Sequence, residues 1–169
     1  MKYNIKYCLI LLIFIIAACN TEKNSSESTA QTDSIFPKGE LLESENFSGT
    51  VWLQMMGAED STLNARFGNV TFAAKARTNW HSHPGGQVLF ITAGKGYYQA
   101  KGQPALLVQK GDVVEIPRNV VHWHGAAPNS EFAHIAISLN QDEGGAVWLG
   151  PVTEEEYAKI GHDSNTATQ

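Results

Sequence analysis

Two short stretches of the sequence decide its fold, WHSHPGGQ at residues 80–87 and PRNVVHWH at residues 117–124. Side chains at alternate positions of a β-strand point the same way, so His81 and His83 are able to bind one ion together. Gln87 follows a Pro-Gly-Gly segment that can turn the chain back, and His122 comes from the second stretch. The pattern predicts a metal site with four ligands, built on neighbouring strands.

Short runs rich in β-forming residues surround these stretches and are separated by Gly, Pro, Asn and Asp. They predict strands over residues 50–55, 69–74, 87–92, 96–100, 105–109, 113–116 and 134–139. Many short strands without helical periodicity between them favour a barrel or sandwich over alternating strands and helices. Thr153 and Glu156 have the spacing of a capping box, which predicts one short helix over residues 154–160. We therefore expect an all-β fold with a short C-terminal helix.

A second group of histidines is predicted to face the same interior. Alternation along the second stretch places His124 on the face of His122 and Trp123 on the opposite face. His134 begins another predicted strand, with small residues at alternate positions after it. Imidazole ordinarily titrates near neutral pH, which suits proton transfer beside a metal. The alternative for His124 and His134 is a structural role, with the ring hydrogen-bonded inside the barrel.

The predicted ligands also limit the choice of metal. Three neutral imidazoles and a neutral amide would leave the full dipositive charge on the ion, which makes it a stronger Lewis acid than a carboxylate ligand would. Nitrogen and oxygen ligands without sulfur suit Mn(II) or Fe(II), and the affinity order alone does not exclude Zn(II), Ni(II) or Cu(II). The alternative for Gln87 is a hydrogen bond to a ligand instead of a bond to the metal.

These spacings resemble the two signature motifs of the cupin superfamily, whose members are small antiparallel jelly-roll barrels (double-stranded β-helices). Four positions depart from the usual pattern: Lys75 and Asn119 replace glycines, Ala126 replaces an asparagine, and Gln87 replaces a glutamate. Asn tolerates positive φ better than most residues, so a turn at Asn119 remains compatible with the motif.

Several segments resemble a narrower group, the small single-domain cupins that include manganese-dependent bacterial hydroxynitrile lyases and cupins associated with carboxymuconolactone-decarboxylase-like domains. The segments are ARTNWHSH at residues 76–83, HWHGAAP at 122–128, HIAI at 134–137 and VTEEEY at 152–157. The resemblance implies a metal bound by His81, His83, Gln87 and His122. It further implies three pocket residues near the substrate, Thr78, His124 and His134.

Three functions are compatible with this site. The first is a metal-dependent lyase that breaks a C–C bond in a small hydroxy- or oxo-compound, with histidine as acid and base. The second is a ferrous-iron dioxygenase of the quercetinase-like type, and the third is a non-enzymatic cupin that binds a small ligand. Cupin barrels commonly pair, and the apolar stretch at residues 51–56 is able to cover a neighbour's sheet, so we expect a homodimer.

The N-terminus has the pattern of a bacterial lipoprotein signal. Lys2 and Lys6 precede an apolar run at residues 9–16, and small residues lead to Cys19. We expect a signal peptide at residues 1–18, a flexible polar tether at 19–34 beginning with acylated Cys19, a folded domain at 35–160 and a disordered tail at 161–169. The alternatives are an uncleaved anchor or a plain secretory signal.

Charge and the residue after the cysteine bear on location. The formal net charge is −5 and no basic stripe occurs, which argues against nucleic-acid partners and limits membrane contact to the lipid anchor. Asn20 stands where inner-membrane lipoproteins of proteobacteria carry Asp. We expect the bacterial cell envelope, with the outer membrane favoured.

Overall fold

The computed structural model describes residues 34–57 and 62–163. The predicted signal, nearly all of the predicted tether with Cys19, and the predicted tail from residue 164 lie outside these residues. Within them, no helix is long and apolar enough to cross a membrane.

The described residues form mostly strands. The strands are β1 Glu40–Leu41, β2 Phe47–Ser48, β3 Val51–Met56, β4 Ala65–Phe72, β5 Arg77–Thr78, β6 His81–Ser82, β7 Gln87–Ala100, β8 Leu106–Gln109, β9 Val113–Ile116, β10 His122–Ala126, β11 Phe132–Leu139 and β12 Val147–Trp148. A short 3-10 helix covers Gln141–Glu143, and helix α1 covers Glu154–Asp163. The strand order β1-β3-β4-β11-β7-β10-β5-β2 is antiparallel and curls on itself, which confirms the expected all-β jelly-roll with a short C-terminal helix.

One long strand, β7, joins the two halves of the curled sheet. Its first part pairs with β11 and β9, and its second part pairs with β10 and β8. The sequence predicted two strands here, broken around Gly94. The structure has one, because Gly94 bends the strand without ending it: its φ is +68°, and an added Cβ would lie 1.7 Å from the carbonyl oxygen of Glu131.

The core has two parts. The interior of the barrel is packed by large buried side chains such as Phe72, Leu89 and Phe132. A second cluster contains Trp123 and Tyr157 and lies between the outer face of the sheet and α1. Burial of apolar surface in the second cluster holds the helix against the sheet.

The C-terminal helix begins as the sequence predicted. The backbone N–H of Thr153 donates to Glu156 Oε2 at 2.7 Å, and the N–H of Glu156 donates to Thr153 Oγ1 at 3.1 Å, a complete capping box. Helix α1 continues to Asp163, so residues 161–163, expected in the disordered tail, are helical. A pair between Lys159 and Glu155 one turn apart supports this longer helix.

Two residues have positive φ at positions where the cupin motifs usually carry glycine. Asn119 has φ +61°, as its sequence context allowed, and Lys75 has φ +69°. The turns that precede β5 and β10 therefore form even though both glycines are replaced.

Candidate active site

Three buried histidines converge on one point inside the barrel. The ligand nitrogens of His81, His83 and His122 all lie within 4.8 Å of one another. The convergence follows from strand pairing, because His122 on β10 is the direct cross-strand partner of His81 on β6. The structure thus brings together the three histidines that the sequence predicted, and this group could hold a divalent metal ion.

Backbone hydrogen bonds orient two of these rings. His81 Nδ1 lies 3.0 Å from the carbonyl oxygen of Asn79, and His122 Nδ1 lies 2.9 Å from that of Val120. When Nδ1–H donates to a carbonyl, Nε2 keeps its lone pair, which is the form that ligates metals. Neither nitrogen of the buried His83 has a hydrogen-bond partner among the described residues. A metal ion would satisfy such a nitrogen, so the donor set fits the predicted group.

Burial keeps the cluster in its neutral form. It lowers the pKa of His83 and of His122 to about 4. It also lowers the pKa of His81 well below its usual range, with the neighbouring charge of a protonated His122 acting in the same direction. All three rings are therefore unprotonated at neutral pH, as metal ligation requires.

Gln87 lies beside the cluster at the start of β7. Its Oε1 is 3.3 Å from His122 Nε2, and its Nε2 donates weakly to Ser138 Oγ at 3.4 Å. The bond to Ser138 points the amide nitrogen away and leaves the oxygen toward the histidines. This orientation suits a fourth ligand, which remains a prediction.

The histidine cluster opens into a cavity of about 330 Å³. Its polar end is formed by Thr78, His81, His83, Gln87 and His124. Its wall is mostly apolar and includes Phe47, Leu53, Met55, Phe67, Val70 and Trp148. Leu53 and Met55 belong to the stretch expected to cover a neighbouring subunit, but alternation along β3 turns these two side chains inward. A cavity of this size and lining suits a small, partly apolar ligand.

His124 is the histidine of the cavity that lies outside the metal cluster. It is buried, and neither ring nitrogen has a hydrogen-bond partner among the described residues. Its backbone N–H donates to Thr78 Oγ1 at 3.2 Å, which ties β10 to the residue that lines the cavity on β5. Burial, followed by the charge of a protonated His134, lowers the pKa of His124 well below its usual range. The lowered pKa keeps the ring neutral at neutral pH, which leaves a ring nitrogen free to accept a proton but makes it a weaker base than a free imidazole.

Comparison with known proteins agrees with this geometry. The cupin domain family matches residues 68–137 of the chain. An (R)-mandelonitrile lyase from Granulicella tundricola is 41% identical over 114 residues, which cover 67% of this chain and 86% of that protein. The chain belongs to the cupin family.

Two further relatives extend the comparison of this cupin. The crystal structure of a cupin-like protein from Thermotoga maritima superimposes with a TM-score of 0.73 at 54% identity, covering 76% of this chain and 97% of that one. An acireductone dioxygenase from Marinobacter nauticus is 31% identical over 81 residues, which cover 46% of this chain and 42% of that protein.

His134, the third predicted pocket residue of this cupin, lies behind the cavity. The side chain is fully buried, its ring meets that of His124 edge-on with centroids 4.7 Å apart, and it stacks on Phe72 at 5.6 Å. It is not part of the cavity lining. Burial lowers the pKa of His134 to about 3, so it supports His124 as a neutral ring.

Several residues of the cavity were missed from the sequence, among them Trp148 and Arg66. Trp148 on β12 pairs opposite His81, with ring centroids 4.7 Å apart. Arg66 on β4 also lines the cavity. Strand β12 has only two residues, too few to show alternation of apolar and polar residues in the sequence. The inward direction of Arg66 follows only from the cross-strand register of β4.

Proposed function

We propose that this cupin is a metal-dependent enzyme that breaks a C–C bond in a small hydroxy- or oxo-compound. The observation that carries the proposal is the position of His124, which is neutral and has no side-chain hydrogen-bond partner among the described residues, in the same cavity as the three-histidine cluster. The identity of 41% to an (R)-mandelonitrile lyase supports lyase chemistry in particular.

The metal would be held by His81, His83, His122 and the amide oxygen of Gln87. When bound, Mn(II) or Fe(II) supplies Lewis acidity toward a substrate oxygen.

His124 moves the proton in this proposal. A ring nitrogen of His124 accepts the proton of the substrate hydroxyl while the carbonyl group forms. The electron pair of the broken C–C bond leaves with the departing group, and the imidazolium then returns the proton to that group. Thr78 holds the backbone of His124 in place, and the apolar wall excludes water from the reacting atoms.

Replacing His122 with Ala tests the metal and the activity together. Two histidines and an amide would remain, so we expect metal content and turnover to fall together. Elemental analysis and a screen of hydroxynitriles, hydroxy acids and aldol-type compounds measure both, with chelated and re-metallated wild type as the control. Full activity in a metal-free His122→Ala protein would refute the proposal.

A ferrous-iron dioxygenase is the second candidate, because the chain is 31% identical to part of an acireductone dioxygenase. Three histidines and an amide leave positions free for oxygen and a substrate. Oxygen uptake that depends on substrate distinguishes the two reactions: a lyase consumes none.

We also propose a homodimer that uses the outer face of β11, β7 and β9. Ile135, Phe90 and Val113 are cross-strand neighbours there, and Phe90 and Val113 are 42% and 51% exposed. An apolar row across three strands is typical of a covered face. Light scattering on residues 34–169 tests it, and a monomer at micromolar concentration would contradict it.

For the N-terminus we propose lipid anchoring through Cys19. The support is the sequence pattern alone. Labelling with a radioactive fatty acid should mark the wild type and not a Cys19→Ala variant, and fractionation should place the labelled protein in the outer membrane.

A further inference from the structure

Arg66 occupies an unusual place for a charged residue, at the inner face of the sheet. On β4 it pairs with Ser138 on β11, and Ser138 pairs in turn with Gln87 on β7. Directly opposed residues of antiparallel strands point to the same face, so all three side chains lie on the cavity side. Arg66 is therefore in one row with a predicted metal ligand, two strands away from it.

The formal charge on the cavity lining is positive. Among the described residues that line it, Arg66 is the only one with a formal charge, and there is no Asp or Glu. Within residues 34–57 and 62–163, no carboxylate forms an ion pair with Arg66. The predicted metal site would add positive charge, since its ligands are neutral. The cavity thus has the electrostatics of a site for an anion.

We propose that Arg66 binds a carboxylate of the substrate, and that the substrate is a small oxo- or hydroxy-carboxylate. Its reacting oxygen lies at the histidine end, and its carboxylate lies at the Arg66 end. This inference rests on the proposed function and specifies the substrate class for it.

The dimensions agree with such a ligand. Two strand spacings separate the Cα atoms of Arg66 and Gln87, about 10 Å, and both side chains extend over the same cavity. Phe47 and Trp148 line the same cavity and are placed to contact a compact apolar body such as one aromatic ring. A cavity of about 330 Å³ accommodates a molecule of that size.

The guanidinium group is suited to this role for two reasons. It presents two parallel N–H donors to a carboxylate and carries a full positive charge. Arg66 is itself exposed, so it stands at the solvent side of the cavity, where it can attract an anion before the reacting end enters.

Two probes of the same shape test the inference, 4-formylbenzoate and its neutral counterpart 4-formylbenzamide. Calorimetric titrations would compare the wild type, Arg66→Gln and Lys95→Gln, each with and without bound Mn(II). Lys95 is exposed and outside the cavity, so its variant controls for net charge. We expect the wild type and Lys95→Gln to bind the benzoate about tenfold more tightly than the amide. Arg66→Gln should lose this preference while its affinity for the amide is unchanged, and Arg66→Lys should regain part of it.

Equal affinities of the wild type for both probes would overturn the inference, as would no binding of either probe or a preference that survives in Arg66→Gln. The proposed function fails in a different way, through absent metal binding or absent turnover in the wild type. Because the titrations are also made without metal, the charge preference is measured whether or not the enzyme proposal holds.

Discussion

Replacing His124 with Leu separates proton transfer from metal binding. The variant removes the base and leaves His81, His83, His122 and Gln87 unchanged. General base catalysis contributes about 10² to 10⁴ in rate, so we expect kcat to fall by that factor. The loss corresponds to about 3–5 kcal/mol in the activation free energy. Metal content should remain that of the wild type.

The stability of His124→Leu is also fixed by its surroundings. The wild-type ring is buried, with both nitrogens unpartnered among the described residues, so replacing it removes a desolvation cost of about 1–3 kcal/mol. Leu differs from His in shape, and its less complementary packing offsets part of this increase in stability. We therefore expect a melting temperature no lower than that of the wild type, which excludes unfolding as the cause of lost activity.

The measurements are metal content, thermal unfolding and steady-state kinetics on the best substrate of the screen. His134→Leu is the matched control, because His134 is equally buried but lies outside the cavity lining. The kcat of His134→Leu should fall less than tenfold, which corresponds to an increase in activation free energy of less than about 1.4 kcal/mol. A fully metallated His124→Leu enzyme that keeps a tenth or more of the wild-type kcat would refute the assignment of the base.

Three other results are expected. Gln87→Glu should bind Mn(II) at least tenfold more tightly than the wild type, because a carboxylate cancels part of the ion's charge, and its kcat should be lower. Unchanged Mn(II) affinity in a metal titration would show that residue 87 is not a ligand. Metal-free protein should lose stability as the pH falls from about 6.5 toward about 4, since the unfolded chain takes up protons on His83 and His122 before the folded protein does. Urea unfolding at several pH values should give a slope of at most about 1.4 kcal/mol per pH unit for each ring, and a pH-independent free energy of unfolding would contradict the burial argument. Gly94→Ala should lower the free energy of unfolding by about 2–3 kcal/mol, because the added Cβ would meet a carbonyl oxygen. Gly102 also has positive φ but nothing within 4 Å of an added Cβ, so Gly102→Ala should lower it by only about 1 kcal/mol. Equal melting temperatures of the two variants would contradict the steric explanation.

The histidine cluster and some of the strands were predictable because their signals are local. The strand at residues 113–116 is found with the predicted bounds, and the alternation of His122 and His124 correctly placed both on the inner face. Two histidines at alternate positions must share a face of a strand. That constraint depends on covalent geometry and needs no knowledge of the rest of the fold.

The remaining parts depend on contacts between distant segments. Strands β5, β6 and β12 have two residues each, too few for any pattern, and they exist only because neighbours supply their hydrogen bonds. Gly94 looked like the end of a strand and proved to be a bend, because the packing against Glu131 is a tertiary contact. The roles of Trp148 and Arg66 have the same origin: each residue faces the cavity through its cross-strand partner, which local sequence does not specify.

The pairing of His81 with His122 makes the arrangement of the site depend on the register of β10. One residue separates His122 from His124, so any misalignment of β10 by a single position would expel both rings from the interior at once. The proposed ligand and the proposed base cannot be lost separately by that route, so a molecule misaligned in this way would lack both. Residues of β3, β4 and β12 also line the cavity, so substitutions there would change its shape without moving the strands that carry the histidines.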